Sequence, residues 1–149
     1  MVTKQFKTTI NAPREKVWDV LWNDATYPVW TKVFSPEGTE GSVAKTTWNK
    51  GDKVLFVDSA GSGGMVSSVH DKVENEFMSF RHLGEVQDGV EKIDENAGWY
   101  GAMENYTLKD VDGKTELMID IDLTEDFLDY FNEAWPKGLD KVKELSEKN

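Results

Sequence analysis

The chain has no cysteine, four prolines and two histidines, and its uncharged apolar runs are only a few residues long. Without cysteine, disulfides, thiolate catalysis and cysteine-containing metal sites are excluded. The apolar runs are too short for a transmembrane helix, which needs about 20 consecutive apolar residues. Positive charge is also scarce, since 17 Lys and Arg stand against 28 Asp and Glu, a net charge of −11. We therefore expect no nucleic-acid partner and no docking on anionic membranes.

The composition is typical of a globular protein, with 38% hydrophobic and 30% charged residues. A chain of 149 residues can bury roughly 70% of its unfolded surface, which is enough for a core. We expect one domain over residues 1–149. The first residues lead directly into a strand-like pattern without the apolar region of a signal peptide, so a cytoplasmic location is predicted.

The apolar spacing changes twice along the chain. Residues 4–10 alternate as in a half-buried strand, and from Pro13 the apolar positions of "PREKVWDVLW" recur at helical spacing. A further short helical turn is predicted over "DATYPVW". Turn signals then separate six strand-like segments, at residues 41–49, 52–58, 64–74, 76–86, 99–111 and 115–123. The acidic stretch 87–97 is predicted to be a mobile loop.

The last segment, residues 124–148, predicts a long helix. Its apolar side carries Phe127, Phe131, Trp135, Leu139, Val142 and Leu145. Pro136 lacks a backbone donor and is expected to kink or interrupt the helix. The order strand, two short helices, six strands and long helix predicts an α+β fold with a seven-stranded antiparallel sheet. That sheet must cover the apolar side of the helix, and a strongly twisted sheet leaves a gap at one end.

Three stretches carry a resemblance to a known family: "INAPREKVWDVLW", "YPVW" and "WPKGLDKVKEL". Together with the six strands between them, they resemble the START-like, polyketide-cyclase-like superfamily (SRPBCC) over essentially the whole chain. The closest likeness is to the branch named after the activator of heat-shock-protein-90 ATPase. The resemblance implies a helix-grip fold, in which a curved antiparallel sheet surrounds a C-terminal helix and encloses a cavity. Members of this superfamily bind lipids, hormones or polyketides, a few catalyse cyclisation or dehydration, and some activate a chaperone.

Strand alternation predicts which side chains face such a cavity. In residues 76–86 the inward residues are Met78, Phe80 and His82, and in residues 115–123 they include Ile119 and Ile121. For residues 99–108 two phases remain open. One phase turns Tyr100, Ala102, Glu104 and Tyr106 inward, and the other turns Trp99, Met103 and Asn105 inward.

The first phase would bring Glu104, Tyr106 and His82 into one apolar cavity. Such a group could orient a polar ligand or act as general acid and base, or it could be a satisfied polar network that braces the sheet. Trp18 and Trp22 share a helix face and are expected to pack the helix on the sheet, while Trp30 is a candidate for the cavity mouth. The candidate lining residues are Trp30, Trp48, Phe56, Phe80, His82, Glu104, Tyr106, Phe131 and Trp135.

Other sequence signals do not support a cofactor or metal site. "AGSGGMV" lacks the third glycine of a dinucleotide fingerprint and the Gly-Lys of a phosphate loop, so it is predicted to be a hairpin turn. His70 and His82 lie on neighbouring predicted strands with no third ligand, so no metal is expected. We predict no cofactor.

Three functions remain open at the level of sequence. The first is a module that binds a small apolar or amphipathic ligand, with no catalytic residue assigned. The second is a cyclase or dehydratase that uses His82 and Glu104 as acid–base groups and Tyr106 as a donor. The third is a chaperone-regulating interaction module whose protein partner is unknown. A filled interior would favour the third, an open cavity the first, and an open cavity with His82 bonded to Glu104 the second.

Overall fold

A computed structural model describes residues 1–34, 42–58 and 60–148 of the chain. Residue 41, the first of the predicted strand 41–49, lies outside the described residues. In chain order the elements are β1 Val2–Ile10, α1 Arg14–Trp22, α2 Tyr27–Trp30, a 3-10 turn Thr31–Phe34, β2 Val43–Lys45, β3 Lys53–Val57, β4 Gly63–Val73, β5 Phe77–Gln87, β6 Val90–Ile93, β7 Met103–Val111, β8 Lys114–Leu123, a second 3-10 turn Glu125–Phe127, and α3 Leu128–Glu147.

The strands form one antiparallel sheet in the order β1-β8-β7-β5-β4-β3-β2, and the sheet packs against α1 and α3. The predicted α+β, helix-grip architecture is confirmed, with eight strands rather than seven in the described part of the chain. The additional strand, β6, pairs with β5 inside the stretch predicted to be a loop. Asp88 and Gly89, both at positive φ, form the two-residue turn that allows this hairpin.

The side chains that alternate onto the inner face of the sheet form the core. Ile119 on β8 and Phe80 on β5 are completely buried, as the strand patterns predict. Trp22 on α1 is also buried and packs against Tyr27, Trp48, Phe80 and Tyr106 with ring centroids 4.8–6.5 Å apart. Trp18 packs edge-on against Trp22 at 6.2 Å. These two indoles therefore anchor α1 to the sheet.

The long helix α3 runs through Pro136 without interruption. Pro136 removes the hydrogen bond that the carbonyl of Asn132 would accept, but both residues are exposed, so water can solvate that carbonyl. Trp135, Leu139 and Val142 are buried against the sheet. The predicted apolar side extends one residue too far, because Phe127 lies in the preceding 3-10 turn and is 53% exposed.

A β-bulge in the β4–β5 pair decides which residues in the second half of β5 lie on the inner face of the sheet. Ser67 opposes His82, whereas the preceding residue, Val66, opposes Gly84, so Leu83 is an extra residue in β5. One extra residue exchanges the two faces of a strand. Beyond Leu83 the odd-numbered residues of β5 therefore point inward, and Glu85 comes to lie opposite Met65 on the inner face.

Candidate functional site

A cavity of about 370 Å³ lies between the inner face of the sheet and the first half of α3. The segment formed by α2 and the following 3-10 turn lies along its side, and the Tyr130 hydroxyl on α3 donates a hydrogen bond of 2.7 Å to the carbonyl of Phe34 on that segment. Phe127 and Tyr130 are about half exposed and mark the mouth. The lining residues are Tyr27, Trp30, Thr31, Phe34, Ser42, Phe56, Met65, His82, Glu85, Trp99, Ala102, Glu104, Tyr106, Ile121, Asp122, Leu123, Thr124, Phe127, Tyr130, Phe131 and Trp135.

Seven of the nine candidate residues lie at this cavity, and the exceptions are Phe80 and Trp48. Phe80 is completely buried behind the rings of Phe56 and Tyr106, at 5.0 and 6.1 Å. Trp48 packs on Trp22 at 5.3 Å and is only partly buried, at the edge of the core and outside the cavity lining. Trp30 is 1% exposed, so it belongs to the inner wall rather than to the mouth.

The two phases left open for residues 99–108 each prove partly right. Ala102, Glu104 and Tyr106 face inward, as in the first phase. Tyr100, however, precedes β7 in a turn and lies under the guanidinium of the exposed Arg81, 5.5 Å from its ring centre. Trp99 takes its place in the lining. The alternation breaks because β7 begins only at Met103.

The polar residues form one hydrogen-bonded chain. Ser67 Oγ lies 2.6 Å from His82 Nδ1, and His82 Nε2 lies 3.2 Å from Glu104 Oε1. The Tyr106 hydroxyl donates to Glu104 Oε2 at 2.5 Å. The sequence of serine, imidazole and carboxylate resembles a nucleophilic triad, but Ser67 is completely buried, so its hydroxyl cannot reach a substrate. The groups that face the cavity are His82, Glu104 and Tyr106.

Two buried tyrosines remain protonated donors well beyond neutral pH. Burial raises the pKa of Tyr106 well above 10.0, and the neighbouring charge of Glu104 raises it further. Burial likewise raises the pKa of Tyr27, again with a smaller contribution from Glu104. The Tyr106 hydroxyl donates its hydrogen bond to Glu104, whereas the Tyr27 hydroxyl makes no hydrogen bond with any residue that the structure describes.

The most informative cavity residue that the sequence did not reveal is Glu85. Regular alternation from Phe80 and His82 turns Glu85 outward, and only the extra residue Leu83 brings it inside. The available signal was Gly84, where a side chain would meet the carbonyl of Lys92 at 2.1 Å. A glycine inside a strand pattern often marks a bulge or a close approach of another backbone, and here it marks both.

Among the described residues, no group of three His, Asp or Glu side chains could hold a metal ion. His70 is exposed, whereas His82 is buried on the inner face, so these two histidines do not share a site. No helix within ranges 1–34, 42–58 and 60–148 is both long and apolar enough to cross a bilayer.

No protein-family model and no curated protein matches this sequence. Solved structures do match. The chain is similar to the Aha1 dimer from Colwellia psychrerythraea, with a TM-score of 0.73, 20% identity, and coverage of 99% of this chain and 97% of that one. It is also similar to DynU16, a protein in the dynemicin biosynthetic locus, with a TM-score of 0.70, 13% identity, and coverage of 98% and 47%.

A third similar structure is CalU16 from Micromonospora echinospora, with a TM-score of 0.66, 12% identity, and coverage of 97% of this chain and 75% of that one. These likenesses span almost the whole chain at low identity. They show that the chain shares the fold of these proteins, as the predicted resemblance implied. Fold alone does not determine what the cavity does.

Proposed function

We propose that the protein binds a small apolar or amphipathic molecule in the cavity between the sheet and α3. The observation that carries this proposal is the unfilled interior volume of about 370 Å³, which lies in the range of small-ligand pockets. Protein cores are otherwise close-packed, and an interior of this size loses contact energy unless something occupies it.

The distribution of polar groups over the cavity wall supports an amphipathic ligand. His82, Glu85 and Glu104 all lie on the sheet, while Phe34 and Phe131 line the helix side. A ligand with one polar end would therefore have one favourable orientation. Wall aromatics supply contact area at little entropic cost, because their rings are already held by neighbouring rings. Phe56, for example, packs edge-on against Phe80 at 5.0 Å.

The neighbours of the same fold give context for this proposal. DynU16 is in a biosynthetic locus, which fits a protein of this architecture that handles small molecules. The chaperone-regulating alternative would be favoured by a filled interior, and the open cavity therefore gives it no support.

Titration with the neutral fluorescent probe N-phenyl-1-naphthylamine tests the proposal. We expect saturable binding to the wild-type chain with one site. Ala102→Leu adds bulk to the cavity wall, where Ala102 is 3% exposed, and should weaken that binding at least several-fold. The matched control is Ala25→Leu, which adds the same atoms at an exposed position away from the cavity. Unsaturable binding, or equal weakening by both variants, would contradict the proposal.

Native mass spectrometry of freshly purified protein gives an independent measurement. A natural ligand held in the cavity should appear as a mass increment that is reduced in Ala102→Leu and retained in Ala25→Leu. An increment that is equal in the two variants would place the molecule elsewhere on the protein.

A second candidate function is acid–base catalysis on the bound molecule. It is favoured by one observation, the 3.2 Å contact between His82 Nε2 and Glu104 Oε1 inside an open cavity. The molecule identified by mass spectrometry would be incubated with the protein and followed for conversion. His82→Ala should abolish conversion while ligand binding and the fold persist. Normal conversion by that variant would remove the catalytic alternative.

A further inference from the structure

We propose that the ligand of this cavity is a cation, specifically an amine carried on an apolar or aromatic body, rather than a fatty acid or another anion. This inference rests on the proposed function, since it concerns the chemistry of the molecule bound in the same cavity. It begins from the charges of the wall. Two carboxylates on the inner face line the cavity, Glu85 and Glu104, and the described lining contains no lysine or arginine.

Neither carboxylate is in an ion pair with a lysine or arginine among the described residues. The Asp122 carboxylate belongs to the outer face instead, where it accepts hydrogen bonds from the hydroxyl of the exposed Thr3 at 2.6 Å and from the Met103 N–H at 3.0 Å. Glu85 accepts a hydrogen bond from the Gln87 amide at 2.9 Å. Lys92, which is opposite Glu85 in the β5–β6 pair, donates to the oxygen of that amide at 3.0 Å and forms no ion pair with Glu85 itself. Such bonds hold a carboxylate in place and favour its ionised form, but they do not cancel its charge.

Glu104 has the only basic partner in the described wall, His82. The hydrogen-bonded chain is satisfied by either form of the imidazole. If His82 is neutral, Ser67 donates to Nδ1 and the Nε2–H donates to Glu104. If His82 is charged, both of its N–H groups donate. With one positive charge at most against two negative ones, the wall is net negative in both forms.

The aromatic side chains of the lining suit the same ligand. Tyr27, Trp30, Phe56 and Trp99 line the same cavity as the carboxylates. The faces of aromatic rings attract cations, and the attraction is stronger where water is excluded. An anionic ligand would meet both the carboxylates and the ring faces without a counterion. A cationic one is favoured by both features.

Tyr27 adds a polar group to the lining. The residue is 8% exposed, and its hydroxyl makes no hydrogen bond with any described residue. The charge of Glu104 contributes to the raised pKa of Tyr27, so the hydroxyl lies in the field of that carboxylate. A phenol oxygen can accept a hydrogen bond, and the ammonium of a cationic ligand is a donor.

The test uses three probes with the same naphthalene body and different charge: 1-naphthylmethylammonium, 1-naphthylmethanol and 1-naphthoate. Their affinities for the wild-type chain would be measured by isothermal titration calorimetry at pH 7. We expect the ammonium to bind about tenfold more tightly than the alcohol, the gain typical of one charge-assisted contact in a partly buried site. Naphthoate should bind most weakly.

Two variants test whether the preference for the ammonium probe arises from the carboxylates of the cavity. Glu104→Gln and Glu85→Gln each remove one cavity charge without changing shape, and each should narrow the ratio of ammonium to alcohol affinity several-fold while alcohol binding persists. Glu133→Gln is the control, because it removes the same charge from an exposed site on α3 whose only ion pair is with Lys137. The ratio should be unchanged in the control and should persist in 0.5 M salt, which screens exposed charges.

The outcomes separate this inference from the proposed function. If the alcohol or the naphthoate binds as tightly as the ammonium, the cation preference is wrong and the binding function stands. If Glu133→Gln narrows the ratio as much as Glu104→Gln and Glu85→Gln do, the preference reflects overall charge and the assignment to the cavity is overturned. If none of the three probes binds to the wild-type chain, the cavity does not accept small apolar molecules, and the proposed function fails together with this inference. Thermal melting of each variant checks that it is folded.

Discussion

Replacing two cavity tryptophans by phenylalanine, one at a time, should have clearly unequal effects on stability. Trp30 and Trp135 are alike in burial, at 1% and 3% exposed, and both line the cavity. Their indole N–H groups differ. Trp30 Nε1 donates to the carbonyl of Leu21 at 3.1 Å, whereas Trp135 Nε1 is buried with no partner among the described residues.

The magnitude follows from this difference. Each substitution removes the same atoms, so the loss of apolar contact largely cancels in the comparison. Trp30→Phe leaves the Leu21 carbonyl in the last turn of α1 without a donor, which costs about 1–3 kcal/mol. Trp135→Phe instead removes a donor whose burial already costs a similar amount. We therefore expect Trp135→Phe to be less destabilising than Trp30→Phe by about 2 kcal/mol or more.

Urea unfolding followed by circular dichroism measures this difference without depending on the fluorescence of the substituted residue. In thermal melting, 2 kcal/mol corresponds to about 4–8 °C for a chain of this length. Equal destabilisation, or a larger loss for Trp135→Phe, would refute the reasoning. Trp135→Ala is the companion measurement, and loss of a buried aromatic there should cost about 3–5 kcal/mol. An unchanged melting temperature for that variant would contradict the placement of Trp135 in the core.

Three further predictions concern the pKa shifts and the β-bulge. Because the pKa of Tyr27 is raised in the folded state, its contribution to stability is complete below pH 10.0 and is lost as the pH rises through the folded value; Tyr27→Phe should flatten the alkaline fall in urea midpoint, and Tyr130→Phe should flatten it less, because partial burial raises the pKa of Tyr130 by a smaller amount. Hydrogen bonds from the backbone N–H and the hydroxyl of Ser62 lower the pKa of Asp58 below 3.8, so that its contribution is present above pH 3.8 and is lost as the pH falls through the folded value; Asp58→Asn should flatten the acid limb of the stability profile, and an unchanged limb would contradict this assignment. Gly84→Ala should release β6, because the added Cβ would lie 2.1 Å from the Lys92 carbonyl oxygen; hydrogen exchange of residues 90–93 should accelerate in this variant and stay slow in Gly98→Ala, where a Cβ meets nothing within 4 Å.

The fold could be predicted from the sequence because its signals are local and repeated. Alternation placed Phe80, His82 and Ile119 on the inner face, and the helical spacing of Trp135, Leu139 and Val142 selected the buried side of α3. The order of elements, with the long apolar-sided helix last, then left few arrangements that cover both surfaces. The strand β6 was missed because two of its four residues are charged and all four are exposed, so burial leaves no pattern in them. Only the Asp88-Gly89 turn pointed to it.

The set of residues that line the cavity depends on the places where strand alternation breaks. A sequence pattern does not reveal those places, because it assumes that the alternation continues along the whole strand. In the turn before β7, Trp99 faces the cavity and Tyr100 faces outward, the opposite of what alternation from β7 predicts. In β5 the extra residue Leu83 exchanges the inward and outward sides for all the residues after it. The second reversal has a chemical consequence. If Leu83 were paired as a regular strand residue, Glu85 would face solvent, and the inward carboxylate would be Glu104, which is bonded to His82. The bulge adds a second carboxylate to the lining that is in no ion pair with a described residue. It thereby contributes a large part of the negative charge on which the expected selectivity for an amine depends. Deletion of Leu83 would restore one-to-one pairing between β4 and β5, and it would leave Glu85 opposite Met65 on the inner face. The preference for the naphthyl ammonium probe should therefore persist in this deletion variant, whereas Glu85→Gln should reduce it. A folded deletion variant that has lost the preference would contradict the assignment of that preference to the inward position of Glu85.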